Sequence, residues 1–188
     1  MGRLTFLLGG ARSGKSAYAQ KVAERSGKSV TFIATGQAGD DEMTARIAKH
    51  RAERPAHWLT LEIPYGIARV LKENLPDTEM ILLDCATLLV SNLLLLGQSD
   101  LDHPDEASAS ARVEAEVTEL LAFIRENEQF WIIVSNEVGL GLVPEYPLGR
   151  LYRDLLGHTN QRLAGQADEV LWIVAGIPVP IQAFRASF

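Results

Sequence analysis

Short unbroken apolar runs alternate along this chain with longer stretches in which apolar residues recur every three or four positions. Thr5-Phe6-Leu7-Leu8 is a β-rich run ended by paired glycines, and the stretch after it predicts a helix from Lys15 to about Arg25, stopped by Gly27. Val30 to Ala34 reads as a second strand, rich in β-branched residues. Asp40, Asp41 and Glu42 open a helix, because carboxylates in a first turn suit the positive end of its dipole, and that helix must stop before Pro55. Trp58 to Ile63 alternates like a strand and Ile67 to Asn74 reads as a short helix. Met80 to Leu83 is a continuous apolar run ending at Asp84, as expected of a strand covered on both faces. Ala86 to Leu96 reads as a buried helix, 97–106 as an exposed polar loop, and 107–127 as a long amphipathic helix burying Val113, Val117, Leu120, Leu121 and Ile124. Trp131 to Val134 is a further buried strand, a helix follows from about Leu148 to Gly165, and Val170 to Val174 is the last clear strand. For the tail from Pro178 to Phe188 two readings stay open, a strand with a loose end or a segment packed on a neighbouring subunit. Strands alternating with helices predict an α/β fold, a mainly parallel sheet with helices on both faces, in one domain over 1–188.

Composition narrows this little but excludes some functions. A length of 188 residues, 47% hydrophobic and 22% charged, fits one globular domain with a core of its own. Cys85 is the only cysteine, so no intramolecular disulfide can form; with no signal-like N-terminus, the expected compartment is the cytoplasm. The longest apolar stretch is interrupted by Thr87, Ser91 and Asn92, so no membrane span is expected. A net charge of −6 would repel a phosphate backbone, which argues against nucleic acid as a partner.

The candidate chemistry begins where the first strand ends. Gly9-Gly10-Ala11-Arg12-Ser13-Gly14-Lys15-Ser16 matches G-x-x-x-x-G-K-[ST], between a predicted strand and a predicted helix, where a phosphate-binding loop has to lie. Glycines let successive backbone N–H groups turn inward onto phosphate oxygens, Lys15 reaches the β- and γ-phosphates, and the Ser16 hydroxyl can ligate Mg²⁺. Asp84 sits at a strand's C-terminal edge, where open α/β sheets bind ligands; it could hold Mg²⁺, or merely cap the next helix. No N-K-x-D guanine-reading motif is present, so a small-molecule kinase or transferase is favoured over a GTPase switch. Arg46, His50 and Arg54 recur every four residues and share a helix face. A histidine between guanidinium groups suits phosphate chemistry, although a solvated basic face would produce the same spacing.

In order along the chain stand the phosphate loop, Ile33-Ala34-Thr35, Asp41-Glu42-Met43, His50-Arg51, Arg54-Pro55-Ala56-His57-Trp58, Asn136-Glu137-Val138-Gly139, Val143-Pro144-Glu145, Asn160-Gln161-Arg162 and Ala167-Asp168-Glu169-Val170. Together these runs resemble the bifunctional adenosylcobinamide kinase / adenosylcobinamide-phosphate guanylyltransferase family of cobalamin biosynthesis, from residue 4 to about 177. The resemblance implies a RecA-like P-loop domain with two reactions. A nucleoside triphosphate (ATP or GTP) phosphorylates adenosylcobinamide; a histidine then takes GMP from GTP and passes it to adenosylcobinamide phosphate. It puts the nucleophile at His50, beside Lys15 as the second catalytic residue. It places the nucleotide against residues 9–16, Ala34, Thr35, Gly36, Arg51, Ala52, Glu53, Arg54, Glu62 and Asp84, with Ser16 and Asp84 on Mg²⁺. It also implies a bulky corrinoid substrate and a homo-oligomer, a trimer. A guanylyltransferase-only relative and a non-catalytic nucleotide-dependent switch are the alternatives. His57 is expected to be structural or to line the site, His103 to be exposed, and His158 to have no role in attack. The Asn136–Gly139 loop opens at the ligand edge without an assignable role.

Overall fold

The apolar runs become the strands of one sheet in the computed structural model, which describes residues 2–39, 41–52 and 54–186. The strands are β1 (Arg3–Gly9), β2 (Val30–Ala34), β3 (Leu59–Glu62), β4 (Met80–Asp84), β5 (Phe130–Asn136), β6 (Glu169–Val174) and β7 (Ile177–Pro180), in the spatial order β3-β2-β4-β5-β1-β6-β7. Every neighbouring pair is parallel except β6 and β7. Since β5 separates β1 from β4, the phosphate loop and Asp84 end strands that are one strand apart, a RecA-like arrangement.

The helices are α1 (Lys15–Arg25), α2 (Asp41–Ala52), α3 (Ile67–Glu73), α4 (Ala86–Leu95), α5 (Glu106–Glu126) and α6 (Pro147–Gln166). Alternation along the central strands divides the core between the two faces of the sheet. Phe6, Ile81, Leu83, Trp131 and Ile133 meet the apolar stripes of α3 to α6 on one face; Leu7, Leu82, Ile132 and Val134 meet Ala19 and Ala23 of α1 on the other. The small alanines on α1 bring that helix, and the loop feeding it, close to the strands. Each large side chain buried this completely contributes roughly 1.5–3 kcal/mol relative to exposure. Trp131 is among them, meeting Phe123 edge to face at 6.2 Å. A buried carboxylate, Glu116 of α5, accepts the N–H groups of Gly66 (2.7 Å) and Ile67 (2.9 Å), so it caps α3 from a distant element.

The predicted elements match those observed within a residue or two at their ends. In the tail, one of whose two readings is a strand, β7 begins one residue before Pro178 and is followed by a 3₁₀ turn at Ile181–Phe184. Pro178 and Pro180 argue against a strand in a sheet interior, but β7 lies at the sheet's edge, where a missing N–H does no harm. A two-residue turn joins it to β6, with Ala175 and Gly176 both at positive φ (50° and 79°), as a tight hairpin requires. Ser187 and Phe188 lie outside the described residues, as do Asp40 and Glu53 of the candidate segment. Among the described residues, no helix is long and apolar enough to cross a membrane.

Candidate functional site

Parallel pairing brings the C-terminal ends of β1 to β5 (Gly9, Ala34, Glu62, Asp84 and Asn136) to one edge of the sheet. The phosphate loop rises there between β1 and α1. Its glycines are not interchangeable. A Cβ on Gly9 would lie 2.4 Å from the Ile173 carbonyl oxygen, and Gly14, at φ 95°, is the left-handed N-cap of α1. Ala11 and Arg12 form the exposed tip, and nothing crowds Gly10. The cradle is tied from outside as well, because Gly176 in the β6–β7 turn donates its N–H to the Ser13 carbonyl at 2.8 Å.

Lys15 is only 6% exposed, and its Nζ donates to the Gly10 carbonyl (2.7 Å) and to Ser13 Oγ (3.4 Å). Burial lowers its pKa, while Cys85 and Asp84 pull it back up. A buried cation beside a glycine-rich turn at a helix N-terminus is the electrostatic complement of a polyphosphate. From the facing strand, Asp84 accepts a hydrogen bond from the Ser16 hydroxyl. Burial raises the Asp84 pKa, opposed by that bond and by the charges of His50, Arg54 and Lys15. Asp84 does not cap the next helix: the N-cap of α4 is Cys85, which makes no side-chain cap. The Ser16–Asp84 pair is therefore available to a metal ion. It offers two hard oxygen ligands and leaves the remaining positions to phosphate oxygens and water, the donor set that suits Mg²⁺.

The basic helix closes the other side. His50, Arg51 and Arg54 line one pocket with Ser16, Asp84 and Glu62, floored by Ala34 and Gly36 and walled by Ile47 and Leu88. Half-buried His50 thus shares a cavity with the end of the phosphate loop. Arg54 lies 3.6 Å above the ring of Phe32, and its buried Nε has no hydrogen-bond partner. Burial lowers the Arg54 pKa, and Asp84 opposes that shift. Arg51 pairs with Glu62 at 3.5 Å, but both are well exposed, so the pair adds little stability and stays free to rearrange around a ligand.

Three expectations need correction or restriction. Thr35 is fully buried: its hydroxyl donates to the Cys85 carbonyl (2.8 Å) and accepts the Cys85 N–H (2.9 Å), so it braces the floor of the site instead of facing a nucleotide. His57 is exposed and lines a groove with Ser29, Thr31 and Thr78 near the opposite ends of the strands, away from His50. Ala52 is exposed and does not line the pocket, while Glu53 and the side chain of Arg46 lie outside what the structure describes. The other two histidines lie outside the pocket that contains His50. His103 is exposed beside Asp100 (3.0 Å), and His158 lines a separate cleft on α6. Sequence reasoning missed Phe32 as a platform for Arg54 and the β6–β7 turn as a brace for the loop. The first looks like any strand residue, and the second depends on a pairing that no local pattern announces.

Cys85 supplies a simple check on the floor. Burial and the Asp84 charge push its thiol from 9.0 up to about 11, which leaves about a hundredfold less thiolate near pH 8 than an unperturbed thiol would have. Labelling by a disulfide reagent such as DTNB at that pH is expected to be slower in the folded chain than in the urea-unfolded chain by at least that factor. Equal rates would show the floor to be open.

Comparison with known proteins agrees with this geometry. The protein-family model described as "Cobinamide kinase / cobinamide phosphate guanyltransferase" matches residues 5–181. The bifunctional adenosylcobalamin biosynthesis protein CobP of Pseudomonas aeruginosa is 45% identical over 176 residues, covering 94% of this chain and 95% of that protein. The bifunctional adenosylcobalamin biosynthesis proteins CobU of Salmonella typhimurium and Escherichia coli are 41% and 40% identical, each over 95% of this chain and 99% of their own length. Among solved structures, the RadB recombinase aligns with a TM-score of 0.47 at 16% identity, over 90% of this chain and 73% of that one.

Proposed function

The chain belongs to the cobinamide kinase / cobinamide phosphate guanyltransferase family, and we propose that it runs both reactions from one nucleotide site, with Lys15 serving phosphoryl transfer and His50 serving guanylyl transfer. The observation that carries this reading is the single pocket lined by Ser16 and Asp84 at one end and by His50, Arg51 and Arg54 at the other. On this reading, a triphosphate seated in the 9–16 loop would extend through that pocket and present its α-phosphate to His50.

In the kinase half, the hydroxyl of the aminopropanol arm of adenosylcobinamide attacks the γ-phosphorus. The loop N–H groups and Lys15 hold the charge that builds on the β–γ bridge. Ser16 and Asp84 would hold Mg²⁺, which when bound neutralises part of the phosphate charge. In the transferase half, neutral His50 attacks the α-phosphorus of GTP and pyrophosphate leaves. The phosphate of adenosylcobinamide phosphate then displaces the imidazole, giving adenosylcobinamide-GDP. Arg51 and Arg54 are placed to neutralise the phosphate that His50 attacks, and the apolar walls Ile47 and Leu88 limit access of water to the phosphoramidate. The bifunctional relatives, 40–45% identical over nearly the whole chain, support retention of the kinase half over a transferase-only role.

The same reading places both activities in one domain across 1–188, working in the cytoplasm as a homotrimer. Apart from family membership, self-association is supported by the loop after β5, which leaves Leu140, Leu142 and Val143 largely exposed. The test of the shared site is isotopic. GTP labelled at the α-phosphate should label the chain covalently and GTP labelled at the γ-phosphate should not, while a non-hydrolysable ATP analogue should compete with the first reaction. Covalent labelling indifferent to that analogue would refute a shared site.

A further inference from the structure

Phosphorylation of an alcohol needs a group to receive the hydroxyl proton. Asp84 accepts the Ser16 hydroxyl and is assigned to the metal side, and Glu62 ends β3, with β2, β4 and β5 between it and the strand that carries the phosphate loop. One further carboxylate emerges at the same sheet edge. Since β5 lies between β1 and β4, the residue following it comes out between the phosphate loop and Asp84. That residue is Glu137.

We propose that Glu137 is the base that takes the acceptor's hydroxyl proton in the kinase half, from a cleft against α6 that shares no lining residue with the His50 pocket. The assignment rests on the kinase reading given above. Its first support is position. The Glu137 N–H donates to the Gly9 carbonyl at 3.0 Å, which fixes the backbone of this residue against the first residue of the cradle. Its second is rigidity just before it. The Asn136 N–H donates to Thr87 Oγ1 (2.8 Å), Asn160 Nδ2 donates to the Asn136 carbonyl (2.9 Å), and buried Ser135 donates to Asn160 Oδ1 (2.7 Å). A base has to be held, and this network of polar groups from β5, α4 and α6 holds the strand end from which Glu137 projects.

The third support is that the carboxylate is available. Among the described residues it accepts the Gly139 N–H and pairs with no cation. Arg153, the nearest candidate on α6, directs its Nη2 to the Gly139 carbonyl at 3.2 Å. Glu137 lines an open cleft with Leu8, Arg153, Asp154 and His158. Leu8 packs into the core on the α4–α6 face, whereas α1 covers the other, so an acceptor can enter here without crossing the pocket that contains His50.

The step balances. The acceptor oxygen forms a bond to the γ-phosphorus, and the bond from that phosphorus to the β–γ bridging oxygen breaks. The electron pair leaves on the nucleoside diphosphate facing Lys15, and the hydroxyl proton passes to a Glu137 carboxylate oxygen. Breaking the bond to the Gly139 N–H lets the carboxylate swing toward the acceptor.

The full-length chain carrying Glu137→Gln tests this. Phosphorylation of adenosylcobinamide by ATP is expected to lose about 10²–10³-fold in kcat with little change in KM for ATP. The low-pH limb of the kcat profile should vanish. Covalent labelling of His50 by GTP, and GMP transfer to pre-phosphorylated acceptor, should remain at the unsubstituted level. Glu137→Asp should keep part of the activity together with its acid limb, and Glu128→Gln, exposed before β5 at the opposite edge of the sheet, should keep both in full. Retention of the kinase kcat and its acid limb in Glu137→Gln overturns the assignment. So does equal loss of both halves, which would mark a structural role. If the unsubstituted chain shows no kinase activity while labelling proceeds, the bifunctional reading itself fails.

Discussion

Incubated with GTP labelled at the α-phosphate and then denatured, the His50→Ala chain is expected to carry no covalent label. The unsubstituted chain should be labelled on the peptide containing residue 50. The label should survive base and be lost in acid, because a phosphoramidate nitrogen becomes a good leaving group once protonated. Overall GMP transfer should fall by roughly 10³-fold or more, since no second nucleophile of suitable chemistry lines that pocket among the described residues. Cys85 lies closest, but its thiol is pushed up to about 11 and stays protonated. Kinase activity should survive within a few-fold, because the phosphate loop and the Ser16–Asp84 pair lie on other elements. Label elsewhere on the chain, or undiminished transfer by the variant, would contradict the assignment of His50.

Lys15→Met should remove both activities, in contrast to the selective effect at His50. The ammonium lies against the Gly10 carbonyl in the free protein and would exchange that contact for the β- and γ-phosphates. Losing it should lower the kinase kcat by about 10²–10³-fold or more, as for other preorganised donors aimed at developing charge. Labelling of His50 should fall too, since pyrophosphate departs against the same lysine. Stability should move the other way. Burial lowers the Lys15 pKa, so the unfolded chain binds that proton more tightly, and its contribution to stability grows as pH rises toward the ordinary value of 10.5. Near neutral pH the nucleotide-free variant should melt no lower than the unsubstituted chain, and the difference between the two should shrink as pH climbs. A large drop in Tm would show that Lys15 supports the fold rather than the chemistry.

Much of this was legible in the order of residues. The phosphate loop is a local device: glycines at fixed spacing, a lysine and a serine between a strand and a helix specify their own geometry. Asp84 was equally accessible, because a carboxylate ending a wholly apolar strand can only emerge at the sheet's ligand edge. His50 needed the resemblance, since its spacing to Arg46 and Arg54 alone fits a solvated helix face as well. Thr35 misled because proximity along the chain suggested contact, while its hydroxyl is consumed by the peptide after Asp84, a partner set by the pairing of β2 with β4. Glu137 was visible as a residue and invisible as a site, because its neighbour Gly9 comes from the far end of the sequence. The tail stayed open between two readings, one of them a strand, because prolines are harmless in a strand only at a sheet's edge.

The hydrogen bond from Gly176 to Ser13 has a consequence for how the protein comes into being. The phosphate-loop residues leave the ribosome before β5 and β6, the strands that flank β1, and the turn bracing the loop belongs to the β6–β7 hairpin. For most of translation the glycine-rich segment has neither the strands that fix its entry nor the amide that fixes its curl. Pairings this distant along the chain are slow to form, because loop-closure entropy is lost before any contact compensates for it. The nascent chain is thereby expected not to hold nucleotide until every element that lines the pocket is present. Nucleotide occupancy in a ribosome-bound series should therefore rise in one step, once the hairpin has cleared the exit tunnel.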